Sequence, residues 1–132
     1  MTEVPSGTSE AELARGRQLL AAAAHLSAGG FFEDAVSRAY YAIFHAACAL
    51  LASIGRTVRT HDGLRAAIAQ HFVKPGLLDA KYSRLLSRTS ADRNDADYAA
   101  IATFTAKDAE AALTQAAEFV ETVAKVLGQA KT

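Results

Sequence analysis

The residues able to do chemistry in this chain gather in two stretches. The first, from Phe31 to Gly55, carries Asp34, Arg38, Tyr41 and His45. At about 100° per residue these four fall within an arc of roughly 60° on a helix. The second, SRTSADRNDADY from Ser87 to Tyr98, carries Arg93, Asp95, Asp97 and Tyr98. Arginine offers a planar, bidentate donor to phosphate, and tyrosine offers a stacking face or a hydroxyl. Histidine exchanges protons near neutral pH. If Arg38, Tyr41 and His45 face Arg93, Asp97 and Tyr98 across a groove, the result is a mixed-charge pocket for a phosphate or a nucleotide, which His61 could join. The plainer arrangement makes Asp34 and Arg38 an i,i+4 ion pair on a solvated face, worth only about a few tenths of a kcal/mol. In the same plain arrangement Asp97 holds Arg93 and caps a helix end, and His61 is a surface or capping residue.

No metal or cofactor is implied. The four histidines are scattered, and no close His, Cys or carboxylate spacing matches a zinc site. The lone cysteine, Cys48, lies inside the first stretch, where it packs rather than reacts, and one thiol forms no internal disulfide.

The elements that must position these groups are helical. Apolar residues Phe32, Val36, Tyr40, Ile43, Ala47, Leu50 and Ile54 recur at spacings of three and four, nearly opposite the polar arc, and predict a buried face on a long central helix. Gly29-Gly30 precedes that helix and Gly55 follows it. Before it, Ser9 with Glu12 forms a capping-box pattern that opens a first helix to about Ser27, with Leu13, Leu20 and Ala23 or Ala24 on one side. The short connection favours an antiparallel pair.

After the basic loop GRTVRTH, Thr60 can cap a shorter helix holding Leu64, Ile68 and Phe72, which ends before Pro75-Gly76. The pattern restarts with Leu78, Tyr82, Leu85 and Leu86, and the polar run from Ser87 to Tyr98 is placed at or just beyond the end of that helix. Thr105 with Asp108 opens a last amphipathic helix through Leu113, Ala116, Val120, Val123 and Leu127, closing before Gly128. Strand alternation, hairpin dipeptides, internal repeats and low-complexity tracts are absent. The expected fold is all-α: an antiparallel, up-and-down four-helix bundle with an additional short helix. It occupies residues 9–128, between tails at 1–8 and 129–132.

A chain of 132 residues suits one domain with a real core. Fourteen basic and fourteen acidic residues exclude an extended nucleic-acid footprint but leave room for a local basic patch. No apolar run reaches the roughly 18 residues of a membrane span, and the start lacks a basic-then-apolar signal. The chain reads as cytoplasmic, with no membrane partner.

The combination SRAYYAIFHAACALL, THDGL, HFVK, LLSR and RNDADY in one bundle of this length resembles the HEPN domain. The resemblance covers about Glu10 to Leu127. It implies a helical bundle, usually a homodimer, often encoded beside a minimal nucleotidyltransferase in toxin–antitoxin pairs, with some members cutting RNA without metal. Ribonuclease members carry an Arg, four to six residues, then a His, near the start of the last long helix or in the loop before it. Such a pair suits the reaction, the His moving protons and the Arg stabilising phosphorane-like charge. Here Arg93 is followed by Asn94, Asp95, Ala96, Asp97 and Tyr98, and no histidine follows His71. The spacing recurs at Arg38 to His45, Arg56 to His61 and Arg65 to His71, all in other elements. Related proteins are nucleotidylated on a tyrosine two residues after that histidine; here Tyr98 stands near the histidine's own position.

The favoured reading is therefore a binding subunit, not an enzyme by itself, that takes a nucleotide or RNA end with Arg38, Tyr41, His45, His61, Arg93, Asp97 and Tyr98 and pairs with a nucleotidyltransferase. The first alternative is a homodimeric, metal-independent ribonuclease rebuilt from Arg38, His45 and Arg93. The second is a helical protein-interaction module without a ligand.

Overall fold

A computed structural model describes residues 8–98 and 103–130. Five α-helices account for most of them: α1 (Ser9–Ala28), α2 (Phe32–Ser53), α3 (His61–Ile68), α4 (Lys81–Tyr98) and α5 (Ala106–Ala130). No strand occurs among the described residues. The register of side-chain contacts gives the helix directions. Ser9 meets Ala49 and Glu12 meets His45, so α1 and α2 are antiparallel. Ser37 meets Asp97 and Tyr40 meets Arg93, so α4 runs against α2. Tyr82 meets Thr122 and Phe119, which turns α5 back against α4 at that end. The result is an up-and-down four-helix bundle, with α3 as the short extra helix packed on α2 and α4.

Local chemistry sets most boundaries. Gly30 and Gly55 take positive φ angles of 86° and 70°, and the residue after each donates its N–H back over six residues, Phe31 to Leu26 and Arg56 to Leu51, both at 2.9 Å. Each is a Schellman ending, which satisfies carbonyls left over at the helix terminus. Thr60 accepts from the Gly63 N–H at 2.8 Å. Thr105 and Asp108 cap each other: the Thr105 N–H donates to Oδ2 at 2.8 Å, and the Asp108 N–H donates to Oγ1 at 3.2 Å. A turn of π-helix, Ala69–Val73, follows α3, and its wider pitch keeps Phe72 in line with Leu64 and Ile68, all three buried.

Four expectations are corrected. The α1 cap is Thr8, whose hydroxyl accepts from Ala11 N–H at 3.1 Å; Ser9 instead bonds the Ala49 carbonyl, and Glu12 turns into the core. The buried row of α1 is accordingly Glu12, Gly16, Leu19 and Ala23, with Leu13 and Leu20 at its edge. Helix α4 does not stop near Leu86 but carries the whole run to Tyr98. Buried Thr89 and Ala96 continue the Tyr82, Leu85 and Leu86 face, and Thr89 returns its hydroxyl to the Leu85 carbonyl at 2.8 Å. Helix α5 passes through Gly128 to Ala130. Finally, α2 is long and apolar enough to cross a bilayer, with 22 residues and a mean hydropathy of 1.3, but 78% of that window is buried inside the protein. It is the core helix.

Residues on nearly every side of α2 are buried, because α1, α4 and α5 all pack on it. The polar arc of Asp34, Arg38, Tyr41 and His45 is therefore not a solvated face. Asp34 and Arg38 stay exposed and do not pair, while Tyr41 and His45 are half-covered by the neighbouring helices. Gly16 makes the α1 approach possible, since a Cβ there would stand 3.1 Å from the Ala42 carbonyl oxygen. Gly16→Val should destabilise the protein by about 1–3 kcal/mol, because backbone rather than a flexible side chain must give way. Gly128→Ala, in an exposed turn with nothing within 4 Å, should stabilise by up to about 1 kcal/mol. Thermal melts of the two variants check both signs; a neutral Gly16→Val would mean that α1 does not sit this close to α2.

Candidate functional site

The buried flanks of α2 force their polar groups to find partners on α1, α3 and α4. Toward α1, the Nδ1 of His45 lies 3.2 Å from Glu12 Oε1, with the two side chains 15% and 7% exposed. The second Glu12 oxygen has no hydrogen-bond partner among the described residues. Burial, and then the Glu12 charge, push the nearby Cys48 thiol far above the usual thiol range. Cys48 therefore stays protonated and inert as a nucleophile.

Toward α4, Ser37 Oγ donates to Asp97 Oδ1 at 2.6 Å. Arg93 Nη1 donates to Asp97 Oδ2 at 3.4 Å, a long contact. The Arg93 guanidinium lies over two tyrosine faces, 5.3 Å from the Tyr40 centroid and 5.8 Å from that of Tyr41. The two rings themselves meet edge to face at 5.3 Å. Arg93 Nε is buried without a partner among the described residues.

Toward α3, Tyr40 Oη stands 2.5 Å from His61 Nδ1, and the His61 ring packs 4.6 Å from that of Phe44. Burial raises the Tyr40 hydroxyl above its ordinary range. Burial, then the Arg93 and Arg65 charges, lower His61. Both shifts keep the pair neutral, Tyr40 as a phenol and His61 as an uncharged imidazole, joined by one hydrogen bond.

Above these contacts a cleft of about 260 Å³ opens between α1 and α4. Its floor is α2, with Ser37, Arg38, Tyr41 and His45; one wall is α1, with Arg15 and Leu19, and the other is Asp97 of α4. Among the described residues, Arg38 has no carboxylate partner, and Arg15 bonds only Gln18, at 3.3 Å. Two guanidinium groups thus face one carboxylate that is already engaged. A second cleft, of about 190 Å³ between α2, α4 and α5, has the opposite balance, with Arg88 against Asp92 and Asp108. Burial, with Asp95 and Asp108 nearby, raises the Asp92 carboxyl against the opposing pull of Arg88. Of these two clefts, the first has the charge balance that favours an anion.

Of the residues singled out in the sequence, Arg38, Tyr41, His45 and Asp97 meet at this cleft, and Arg93 sits beside it, behind Tyr41 and Asp97. His61 lies behind Tyr40 and packs rather than lying free on the surface. Tyr98 is elsewhere: it is 81% exposed and borders a separate hollow with Asn94, Asp95, Thr103 and Phe104. The expected grouping of Tyr98 and His61 with the others is corrected: continuous helix turns Tyr98 about 100° from Asp97, and His61 is held on the far side of Tyr40. Sequence reasoning missed Arg15, Ser37 and Glu12. The signal for Glu12 was its spacing of four from Gly16, a small residue that brings α1 close to α2. Among the described residues no cluster of three His, Cys, Asp or Glu could hold a metal ion.

A family model of the HEPN domain matches residues 9–127. "Putative toxin MJ0605" of Methanocaldococcus jannaschii is 35% identical over 108 residues, 82% of this chain and 80% of that protein. "UPF0332 protein PH1297" of Pyrococcus horikoshii is 38% identical over 74 residues, 56% of this chain and 52% of that protein. A UPF0332 protein of Thermotoga maritima is 28% identical over 117 residues, 89% of each chain.

His61 generates a prediction with a definite sign. Its folded-state value lies below the ordinary 6.5, so below that pH the unfolded chain binds more protons than the native one. Stability should fall as pH drops through about 6.5 toward the lowered value. In His61→Asn that acid-side loss should shrink, as read by urea unfolding at pH 7.5 and 5.5. An equal loss in both proteins would mean that His61 is not buried against Tyr40.

Proposed function

The chain belongs to the HEPN domain family, and on that footing we propose that it binds a nucleotide or an RNA end through phosphate in the cleft between α1 and α4. In this reading it is the toxin-like member of a two-component module and works, as a symmetric dimer, with a minimal nucleotidyltransferase. The observation that carries the binding reading is the pair of guanidinium groups, Arg15 and Arg38, lining one cleft with no carboxylate partner of their own among the described residues. Arginine is suited to phosphate by its fixed fork of donors. Tyr41 on the cleft floor supplies a face for a base or sugar. A cleft of about 260 Å³ stands just below the roughly 300–1,000 Å³ of most ligand sites, so it suits one nucleotide unit better than a run of them. The module reading is supported by family membership and by the name of the Methanocaldococcus relative.

One observation favours a second reading, metal-independent RNA cleavage. The Glu12 carboxylate fixes Nδ1 of His45 and leaves Nε2 as the nitrogen for proton exchange, the orienting role a buried carboxylate plays for a catalytic imidazole. Arg38 or Arg93 would then stabilise phosphorane-like charge.

Arg38→Ala tests the first reading without disturbing the core, because Arg38 is exposed and has no carboxylate partner among the described residues. Binding of nucleoside monophosphates, measured by calorimetry, should weaken about tenfold or more, the loss expected for one charge-assisted contact. Unchanged binding would remove the phosphate from this cleft. His45→Gln decides the second reading: RNA cleavage at neutral pH that survives the change rules out His45 as the proton carrier. Purification from the source cell with mass analysis of bound protein tests the partner, and a chain that comes out with no nucleotidyltransferase argues against the module.

A further inference from the structure

The cleft is not uniformly cationic, and its one carboxylate is held with unusual care. Asp97 Oδ1 accepts from Ser37 at 2.6 Å and Oδ2 accepts from Arg93 at 3.4 Å. Arg93 is in turn held by the faces of Tyr40 and Tyr41. The contacts with Ser37 and Arg93 set the direction of Asp97, whose side chain stays 28% exposed at the cleft wall. Toward phosphate alone this charge is a repulsion, so a different group of the ligand must meet it. A carboxylate pair of oxygens can accept about four hydrogen bonds, and among the described residues only two are made here. The remaining capacity suits a neutral hydroxyl donor. The layout of the cleft separates the two functions, with Arg15 on the α1 wall and Asp97 on the α4 wall.

We infer that the cleft selects ribonucleotides over deoxyribonucleotides, Asp97 accepting a hydrogen bond from the ribose 2′-hydroxyl while Arg15 and Arg38 take the phosphate. The inference rests on the phosphate reading above and adds the sugar class to it. The 2′-hydroxyl is the group that lets a protein tell RNA from DNA, and a deoxyribose leaves the carboxylate facing a carbon. Sites built to bond a hydroxyl reject the analogue that lacks it, because the fixed acceptor loses water and gains no partner. Ser37 and Arg93 act here as positioning residues, fixing the direction in which Asp97 can accept.

The experiment compares the four ribonucleoside 5′-monophosphates with their 2′-deoxy counterparts, by calorimetry on the full chain. The wild type should prefer the ribo forms by about 10- to 100-fold, the range for a hydrogen bond to a charged group. In Asp97→Ala, which removes the acceptor altogether, that preference should collapse toward unity, while affinity for the deoxy forms holds or rises because a negative charge has left the cleft. The wild-type ratio needs no variant, so a misfolded Asp97→Ala does not blunt the test. If both sugar classes bind equally and both are lost in Arg38→Ala, the sugar inference is overturned and the phosphate reading stands. If neither class binds, both are overturned.

Discussion

A helix buried on nearly every side cannot leave its polar side chains to water, and α2 is such a helix. Three polar groups on its flanks are met by neighbours: His45 by Glu12 of α1, Ser37 by Asp97 of α4, and Tyr40 by His61 of α3. Unmet, each would cost on the order of 1–3 kcal/mol, so these contacts fix where the surrounding helices lie. Gly16 permits the close approach of α1, and the Schellman ending at Gly30 sets the hairpin that brings Glu12 opposite His45.

The same contacts give the cleft its electrostatic character. Glu12 is a buried carboxylate and Asp97 an engaged one on the cleft wall, whereas Arg15 and Arg38 are exposed and, among the described residues, without acidic partners. Arg93 is intermediate: its charge rests on two tyrosine faces, and its Nε is buried with no acceptor among the described residues. Cation–π contact and one long ion pair hold that charge beside the cleft without neutralising it. The α1–α4 cleft thus holds two guanidinium groups against one engaged carboxylate, while the cleft lined by α2, α4 and α5 sets Arg88 against Asp92 and Asp108. A chain with balanced charge overall can in this way attract an anion at one place.

Much of this was legible in the sequence, and the failures have physical causes. The spacing of Val36, Tyr40, Ile43, Ala47 and Leu50 announced a buried helix, and Thr60, Thr105 and Asp108 announced caps, because periodicity and capping are local properties. The run from Ser87 to Tyr98 was misread since Ser, Asp and Asn favour turns when nothing else decides. Here the burial of Thr89 and Ala96 decides, and so does the stacking of Arg93 on Tyr40, none of which is local. The polar arc of α2 was read as a single face toward water or ligand; Asp34 and Arg38 keep that exposure, whereas His45 meets Glu12 of α1 and Tyr41 lies under Arg93 of α4. Arg15 and Ser37 carried no pattern at all, and only the crossing of α1 and α4 over α2 brings them to one cleft. Tyr98 shows the converse, a residue near Asp97 in sequence that the helix carries to a different surface.

The account turns on one claim, that the α1–α4 cleft is where an anion sits. Amide chemical shifts recorded while inorganic phosphate is titrated into the protein test it directly. The largest changes should map to Arg15, Ser37, Arg38, Tyr41 and Asp97, with Tyr98 and the α5 cleft unaffected. Changes centred on Asn94, Tyr98 and Phe104 or on Arg88 and Gln115, or no saturable change anywhere, would contradict it.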